Sequence, residues 1–129
     1  ESSTSGSARG ADIWALSTTP VSVVNSIVEN DIATALVYGD GSATLQYNNV
    51  YNDSASGSTY GGSWSAGAGS ISTGGNFVDA RCDGNAYNDD WTLDSTSTAV
   101  NAGNPAGAYN DADGTANDMG AYGGPGGSW

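Results

Sequence analysis

Residues 21–30 (VSVVNSIVEN) and 43–52 (ATLQYNNVYN) share a pattern that predicts the fold of this chain. In both stretches, short apolar runs are separated by asparagine. Aligning residues 24–27 (VNSI) with residues 47–50 (YNNV) gives a shift of 23 residues. A period of about 23 residues is typical of one coil of a parallel β-solenoid, in which short strands are separated by turns.

Asparagine has a specific place in this prediction. In the alignment, Asn25 and Asn48 occupy the same turn of successive coils. Asparagine tolerates the left-handed backbone of such a turn, and stacked asparagine side chains hydrogen-bond to one another. The alternative is that both are ordinary turn residues of a β-sandwich.

Apolar runs elsewhere predict further short strands, and the segments between them predict loops. The strand predictions are residues 21–24, 27–28, 35–38, 43–47, 50–51, 77–79, 91–93 and 99–100. Residues 53–75 are rich in glycine and serine, which predicts a long loop that projects from one coil and returns at Ile71. After Asn101 we expect mostly turns.

The composition of the 129 residues favours an all-β protein of one domain. Twelve of the 14 acidic residues are aspartate, and glycine, serine, threonine and asparagine are abundant; all of these favour turns and strands over helices. The net charge of −12 opposes binding to nucleic acid and to anionic membranes, because both need basic side chains that neutralise phosphate. No apolar run is long enough to insert into a membrane.

The tail, residues 93–124, contains a turn at residues 102–105 (AGNP), an acidic run at residues 111–114 (DADG) and the final residues 118–123 (DMGAYG). With these motifs the tail resembles the closing segment of bacterial secreted right-handed parallel β-helix proteins of the pectate-lyase-like group. Residues 48–53 (NNVYND) and 74–80 (GGNFVDA) are similar to the last coils of the family.

The resemblance covers roughly residues 20–124 and implies a right-handed parallel β-helix that is secreted or displayed on the surface of a bacterium. With a period of about 23 residues, the chain has room for about four to five coils. We expect a single domain over residues 13–129, with a loop-rich C-terminal cap from about residue 101. Residues 1–12 are small and polar, which predicts a flexible or strapping N-terminal arm.

Oxygen-bearing side chains crowd the turn at residues 110–118 (NDADGTAND), which predicts a Ca²⁺ site. The first two aspartates have the alternate spacing of calcium loops, glycine permits a sharp turn, and the third aspartate closes the site. Three carboxylates this close together repel one another unless a cation lies among them. The candidate ligands are Asp111, Asp113, Asp118, Asn110 and Asn117, completed by backbone carbonyls. The alternative is an aspartate-rich turn held by hydrogen bonds to its own backbone.

The lack of histidine and the scarcity of basic residues argue against catalysis. With no histidine, the chain excludes Ser-His-Asp and Cys-His mechanisms and zinc sites built from histidine and cysteine. Polysaccharide lyases of the β-helix type need a basic proton abstractor, for which only Arg9 and Arg81 are present. Glycoside hydrolysis needs paired carboxylates. The nominal candidates are Asp79, Asp83, Asp89 and Asp90.

Two aromatic residues of the glycine-rich segment, Tyr60 and Trp64, are predicted to form a sugar-stacking or partner-contacting platform, with core filling as the equal alternative. The N-terminal end of a β-helix has unpaired strand edges, which predicts self-association, into filaments if copies pair head to tail. We therefore expect a non-catalytic, calcium-stabilised, extracellular structural or adhesive module. A polysaccharide-binding or polysaccharide-degrading module, or a fragment of such an enzyme, is the alternative.

Overall fold

The computed structural model describes residues 12–16, 20–30, 34–80 and 85–127, and these residues are all-β, as predicted. The strands are β1 (Ile13–Leu16), β2 (Val21–Val24), β3 (Ile27–Asn30), β4 (Ala35–Asp40), β5 (Ala43–Gln46), β6 (Asn49–Asn52), β7 (Ser58–Gly62), β8 (Phe77–Asp79) and β9 (Asp90–Leu93). Two 3₁₀ helices of three residues each are Ala86–Asn88 and Gly107–Tyr109. No helix in the described ranges is long and apolar enough to cross a membrane.

The first seven strands form three rows of parallel strands. Each of the strands β1 to β4 pairs with the strand three places further along the chain, which gives the rows β1-β4-β7, β2-β5 and β3-β6. Paired residues are 22 to 24 positions apart: Ile13 lies opposite Val37, Val21 opposite Ala43, and Ile27 opposite Asn49. We call β1–β3 the first repeat and β4–β6 the second repeat; β7 begins a third repeat.

The register at the turn between β2 and β3 differs by one residue from the predicted alignment. The pairing of β2 with β5 makes Tyr47, rather than Asn48, the residue that corresponds to Asn25. Asn25 (φ 55°), Tyr47 (φ 54°) and Gly69 (φ 70°) all have left-handed backbone, at intervals of 22 residues. The prediction of stacked asparagines is wrong because the backbone conformation recurs in this turn while the residue type changes.

Asn48 joins the repeats from inside this turn. Its side-chain oxygen accepts a hydrogen bond from the backbone N–H of Ser26 (3.0 Å), and its side-chain nitrogen donates to the carbonyl of Val23 (2.8 Å). Its backbone N–H donates to the hydroxyl of Ser70 (3.3 Å) in the third repeat. The buried amide of Asn48 is therefore satisfied by groups of its neighbouring repeats, as a buried polar side chain requires.

The main core lies between the rows. Its buried members are Leu36, Val37, Leu45, Val50 and Trp64. The first repeat contributes side chains that are only half-buried: Ile13, Ala15, Val21, Val23 and Val28. The apolar interior is therefore closed in the second repeat and partly open to solvent at the first.

The C-terminal segment (residues 93–124) packs on the side of the rows. It forms a second core from Leu93, Ala99 and Met119, packed against Ile27 of the first repeat and against residues of the later repeats. Asn25 ties the segment to the first repeat. Its carbonyl accepts from the backbone N–H of Gly120, and its side-chain oxygen accepts from that of Asn104, both at 2.8 Å. The loop-rich region from about residue 101, predicted to be an end cap, thus reaches back along the repeats to the first one.

Several local predictions are wrong. Residues 53–75 do not form one projecting loop, because β7 pairs with β4 and Ile71 bridges to Asn49. Residues 99–100 lie in a turn instead of a strand. The strands predicted at residues 77–79 and 91–93 are present as β8 and β9, but they pair antiparallel. Within the described ranges, parallel pairing spans three repeats instead of four to five.

Most of the predicted N-terminal arm, residues 1–12, lies outside the described residues. Asp12 is the exception, and it is tied to the end of β3. Its carboxylate accepts a hydrogen bond from the side-chain nitrogen of Asn30 at 3.1 Å. This contact joins the start of the first repeat to its end.

Candidate functional site

The acidic turn at residues 110–118 is built around Asp111. Asp111 is only 7% exposed, and its side-chain oxygens accept hydrogen bonds from the backbone N–H groups of Asp118 (3.1 Å) and Gly124. Its backbone N–H donates to the carbonyl of Thr115 (3.1 Å), and its carbonyl accepts from Gly114 (2.9 Å). The carboxylate therefore satisfies backbone donors that this tight turn would otherwise leave unpaired.

Asp118 and Asn117 lie beside Asp111 and are buried with it. Asp118 is 7% exposed, and its carboxylate accepts from the backbone N–H of Asn101 at 2.5 Å. Burial raises the pKa of Asp118, the bond from Asn101 lowers it in part, and the negative charges of Asp111 and Asp113 raise it further. Asn117 is 2% exposed, and its carbonyl accepts from the N–H of Gly103 at 2.7 Å.

The remaining two predicted ligands lie apart from this pair of buried carboxylates. Asp113 is exposed, and one of its oxygens accepts from both the hydroxyl (2.7 Å) and the backbone N–H (2.9 Å) of Thr115. The hydroxyl bond is the main cause, and the backbone bond the second, of a lowered pKa for Asp113. Asn110 is half-buried and follows the second 3₁₀ helix, with its N–H donating to the carbonyl of Gly107.

This donor set fits a calcium ion only in part. Calcium takes six to eight oxygens at about 2.3–2.6 Å. Here the oxygens of Asp111 face backbone donors, and one oxygen of Asp113 is bonded to Thr115. Nowhere in the described chain do three or more acidic, histidine or cysteine side chains come close enough to hold a metal ion. The geometry favours the aspartate-rich turn, and the Ca²⁺ site stays a prediction.

The raised pKa of Asp118 gives a testable prediction for Asp118→Asn. Burial disfavours the charged form of Asp118 and raises the pKa of its carboxyl, whereas the amide of Asp118→Asn is neutral at every pH and its oxygen can still accept from Asn101. We expect the variant to raise the Tm at pH 7 in thermal unfolding followed by circular dichroism.

The pH dependence of the Tm of Asp118→Asn tests whether burial of a charge is the cause of the stabilisation. A carboxyl whose pKa is raised by folding contributes stability below its unfolded pKa of about 3.8 and loses that contribution as pH rises through the folded value. The advantage of Asp118→Asn should therefore shrink as pH falls toward about 3.5, where wild-type Asp118 is also neutral. An advantage that is constant from pH 7 to pH 3.5 would show that charge burial is not its origin.

The two residues predicted as a platform belong to the main core. Tyr60 lies on β7, half-buried, and burial raises the pKa of its hydroxyl. Trp64 is 6% exposed, and its indole N–H donates to the carbonyl of Gly41 at 3.1 Å. Its ring lies against Gly39, where an added Cβ would be 2.5 Å from the ring atoms. Trp64 fills the core, so it is not available as an exposed platform.

A groove that the sequence did not reveal lies between the β2–β3 turn, β9 and the end of the C-terminal segment. It has a volume of about 600 Å³. Trp91, 39% exposed, meets the ring of Phe77 edge to face, with ring centroids 5.3 Å apart. The other lining residues are Val24, Asn25, Ser26, Ile27, Leu93, Met119, Gly120, Ala121 and Tyr122. Only the fold brings residues so distant in sequence together.

Three of the four candidate catalytic acids, Asp79, Asp89 and Asp90, lie among the described residues. Asp79 and Asp90 lie opposite each other in the β8–β9 pair. The hydroxyl (2.6 Å) and then the N–H (3.0 Å) of Thr92 donate to Asp90 and lower its pKa, which does not suit a general acid. Asp89 lies between the first 3₁₀ helix and β9. Asp83 and the two arginines, Arg9 and Arg81, lie outside the described residues.

Function is inferred from the arrangement of this chain's own residues. Comparison of the chain with models of protein families, with characterised proteins and with solved structures found no match.

Proposed function

We propose that this chain is a non-catalytic structural or adhesive module of an extracellular or cell-surface protein, built as a right-handed parallel β-helix. The observation that carries the proposal is the set of three strand rows with paired residues 22 to 24 positions apart. Such an arrangement is a scaffold that stacks by repetition, and its end strands present edges to a further layer.

Four observations support a structural role over a catalytic one. The chain has no histidine, and the described acids Asp90, Asp94 and Asp113 have pKa values lowered mainly by neighbouring threonine hydroxyls. The buried carboxylates accept bonds from backbone N–H groups of the C-terminal segment, so they hold the segment in shape. The segment in turn contacts the side of the first repeat, which is consistent with a part that stabilises the stack.

Size-exclusion chromatography with light scattering tests the proposal. A structural module with open strand edges is expected to form species larger than the 12.8 kDa monomer as its concentration rises. The measurement is repeated in millimolar Ca²⁺ and in Mg²⁺ at matched ionic strength. We expect Ca²⁺ and Mg²⁺ to change the association of the protein equally, because both screen its negative charge. A calcium-specific increase that Asp118→Asn abolishes would establish the predicted Ca²⁺ site, and a monomer at all concentrations would overturn the assembly proposal.

Saccharide binding is a second candidate function, and the aromatic groove favours it. Trp91 is held by Phe77 with part of its surface open, which is the arrangement that sugar rings stack upon. The net charge of −12 disfavours acidic polysaccharides, so a neutral oligosaccharide is the fitting ligand.

The saccharide prediction is tested with Trp91→Ala and a panel of neutral hexasaccharides from cellulose, xylan and mannan, titrated by calorimetry. We expect the substitution to weaken binding at least about tenfold, or about 1.4 kcal/mol. Tyr87→Ala is the control, because Tyr87 is fully exposed and does not line the groove. Equal affinity of wild type and both variants, or no binding by the wild type, would rule out the groove as a sugar site.

A further inference from the structure

The aromatic groove between the β2–β3 turn and β9 has an apolar floor. Leu93 and Met119 line it and are 8% and 0% exposed, and Ile27 of β3 lies beside them. At the rim, Trp91 is 39% exposed and meets Phe77 edge to face, with 76° between the ring planes. This contact covers the indole only in part, so the rest of the ring is accessible to a ligand in the groove.

Acidic side chains continue the two walls of this groove. Residues two apart on a strand face the same side. On β3, Glu29 is two residues beyond Ile27, and on β8, Asp79 is two residues beyond Phe77. An added Cβ at Gly75 would lie 2.6 Å from the ring of Phe77 and 2.7 Å from the carboxylate of Glu29, so this carboxylate lies beside the ring. The apolar floor is therefore bordered by negatively charged groups from two strands.

The pairing of β8 with β9 adds a third carboxylate on the same side. Asp90 lies directly opposite Asp79 in the antiparallel register. Residues that are directly opposite share a face of the sheet, and like charges in such a pair destabilise it. The hydroxyl and then the N–H of Thr92 lower the pKa of Asp90, and the charge of Asp79 opposes this only in part, so Asp90 is ionised at neutral pH. A bound cation would offset the repulsion between these two carboxylates.

The segment from β8 to β9 is acidic as a whole. Residues 77–93 contain four aspartates and one arginine, a formal net charge of −3. The chain carries −12, and its field attracts cations and repels anions. An indole beside carboxylates suits an organic cation, because the face of the ring also attracts positive charge. Charge complementarity therefore favours a ligand that is both positively charged and apolar on one side.

We propose that the aromatic groove binds an oligosaccharide whose sugars carry free amino groups, such as a β-1,4-linked glucosamine oligomer. The inference rests on the saccharide-binding function proposed above and names its ligand class. An amino sugar combines a ring face that stacks on Trp91 with an ammonium group that pairs with the carboxylates at the edge of the groove. Asp79 is two strand residues, about 7 Å, from Phe77, so adjacent sugar units contact both the apolar and the acidic part. A neutral sugar makes only the stacking contact.

Calorimetric titration of residues 1–129 with three hexamers tests the inference. The hexamers are β-1,4-linked glucosamine, cellohexaose, which has the same linkage without amino groups, and hexalysine, which has the charge without sugar rings. At about pH 5.5 the carboxylates are ionised and the sugar amines are protonated. We expect the glucosamine hexamer to bind at least about tenfold more tightly than cellohexaose, because it adds charge-assisted hydrogen bonds. This preference should fall when NaCl is raised from about 50 to 500 mM. We expect hexalysine to bind more weakly than the glucosamine hexamer.

The outcomes separate the ligand class from the saccharide-binding function. Equal affinity for the glucosamine hexamer and cellohexaose would overturn the preference for amines and leave saccharide binding standing. If neither binds, both proposals are wrong. Binding of the charged hexamers alone, or equal affinity for hexalysine and the glucosamine hexamer, would show that charge acts without ring stacking, and would overturn the inference.

Two aspartate variants locate the site of the amine. Asp90→Asn removes a charge at the groove, and Asp113→Asn removes one from the acidic turn. The two positions are matched, since both are exposed and each accepts from the hydroxyl and the N–H of the threonine two residues further on. We expect Asp90→Asn to lower the preference for the glucosamine hexamer at least about threefold and Asp113→Asn to leave it unchanged. Equal effects would show that only the net charge matters and would contradict the inference.

Trp91→Ala links the amine preference to the groove. We expect it to weaken binding of both the glucosamine hexamer and cellohexaose, because both stack on the indole. Unchanged affinity of Trp91→Ala for the glucosamine hexamer would place its binding outside the groove and overturn the inference.

Discussion

Trp64→Ala is expected to lower the free energy of unfolding by about 3–5 kcal/mol, the range for removal of a buried large aromatic side chain. The indole is 6% exposed and joins the second and third repeats, because Trp64 follows β7 and its ring packs against Gly39 of β4. Its removal leaves a cavity in the main core and an unpaired carbonyl at Gly41, which now accepts from the indole N–H. Urea unfolding followed by circular dichroism measures the change.

Trp91→Ala is the matched control for this prediction. Trp91 is the same residue type, but it is 39% exposed and contacts Phe77 through a single edge-to-face arrangement. We expect it to cost about 1 kcal/mol, from the ring contact and partial burial. If both tryptophans cost the same, Trp64 does not have the core role assigned to it. If Trp64→Ala keeps its affinity for saccharide, Trp64 fills the core and does not take part in binding.

The short apolar runs predicted strands β2 to β6, because apolar residues between turn residues leave few other solutions. They did not predict β1 (Ile13–Leu16), the first strand of the first repeat. The parallel pairing itself was predicted from one apparent repeat of 23 residues, close to the observed offsets of 22 to 24. The one-residue error arose at Tyr47. A tyrosine is a poor indicator of left-handed backbone, although Asn25 and Gly69 at the equivalent positions are good ones.

The sequence did not predict β7, the strand of the third repeat, because this strand contains two glycines. β7 reads STYGG, and its glycines have no side chains to show the alternation on which strand prediction depends. These glycines are required by close packing: an added Cβ at Gly61 would lie 2.8 Å from the ring of Tyr38. The strand is therefore specified by its neighbours in β4, which a local reading of sequence does not include.

The acidic turn at residues 110–118 shows a second limit of prediction from sequence. Of its five predicted ligands, Asp111, Asn117 and Asp118 are buried, whereas Asp113 is exposed and Asn110 is half-buried. The spacing of carboxylates does not distinguish a metal loop from a turn that binds its own N–H groups, because both place oxygens toward the inside of a tight bend. The hydrogen bonds that these carboxylates accept come from backbone groups of distant residues, Asn101 and Gly124, which a local pattern does not include.

Gly67→Ala is expected to destabilise the fold by about 3 kcal/mol or more, at the upper end of the cost of overpacking. An added Cβ at Gly67 would overlap the carbonyl oxygen and carbon of Leu45, which belong to the backbone of β5. A backbone group held in the β2-β5 row does not rotate away as a side chain does, so the row must separate locally. The free energy of unfolding in urea again gives the cost.

Alanine substitutions at two other glycines separate the effect of steric overlap from the effect of backbone strain. Gly114 has φ +87° and open space around it, so Gly114→Ala carries only the backbone strain, about 1–2 kcal/mol. Gly107 has neither positive φ nor any atom within 4 Å, and Gly107→Ala should be neutral or stabilise by up to about 1 kcal/mol, because alanine loses less chain entropy on folding. The order Gly67, Gly114, Gly107 from most to least costly is the test. If Gly67→Ala is as mild as Gly107→Ala, the third repeat does not pack directly beneath β5, and the stacked arrangement of the repeats is wrong at that point.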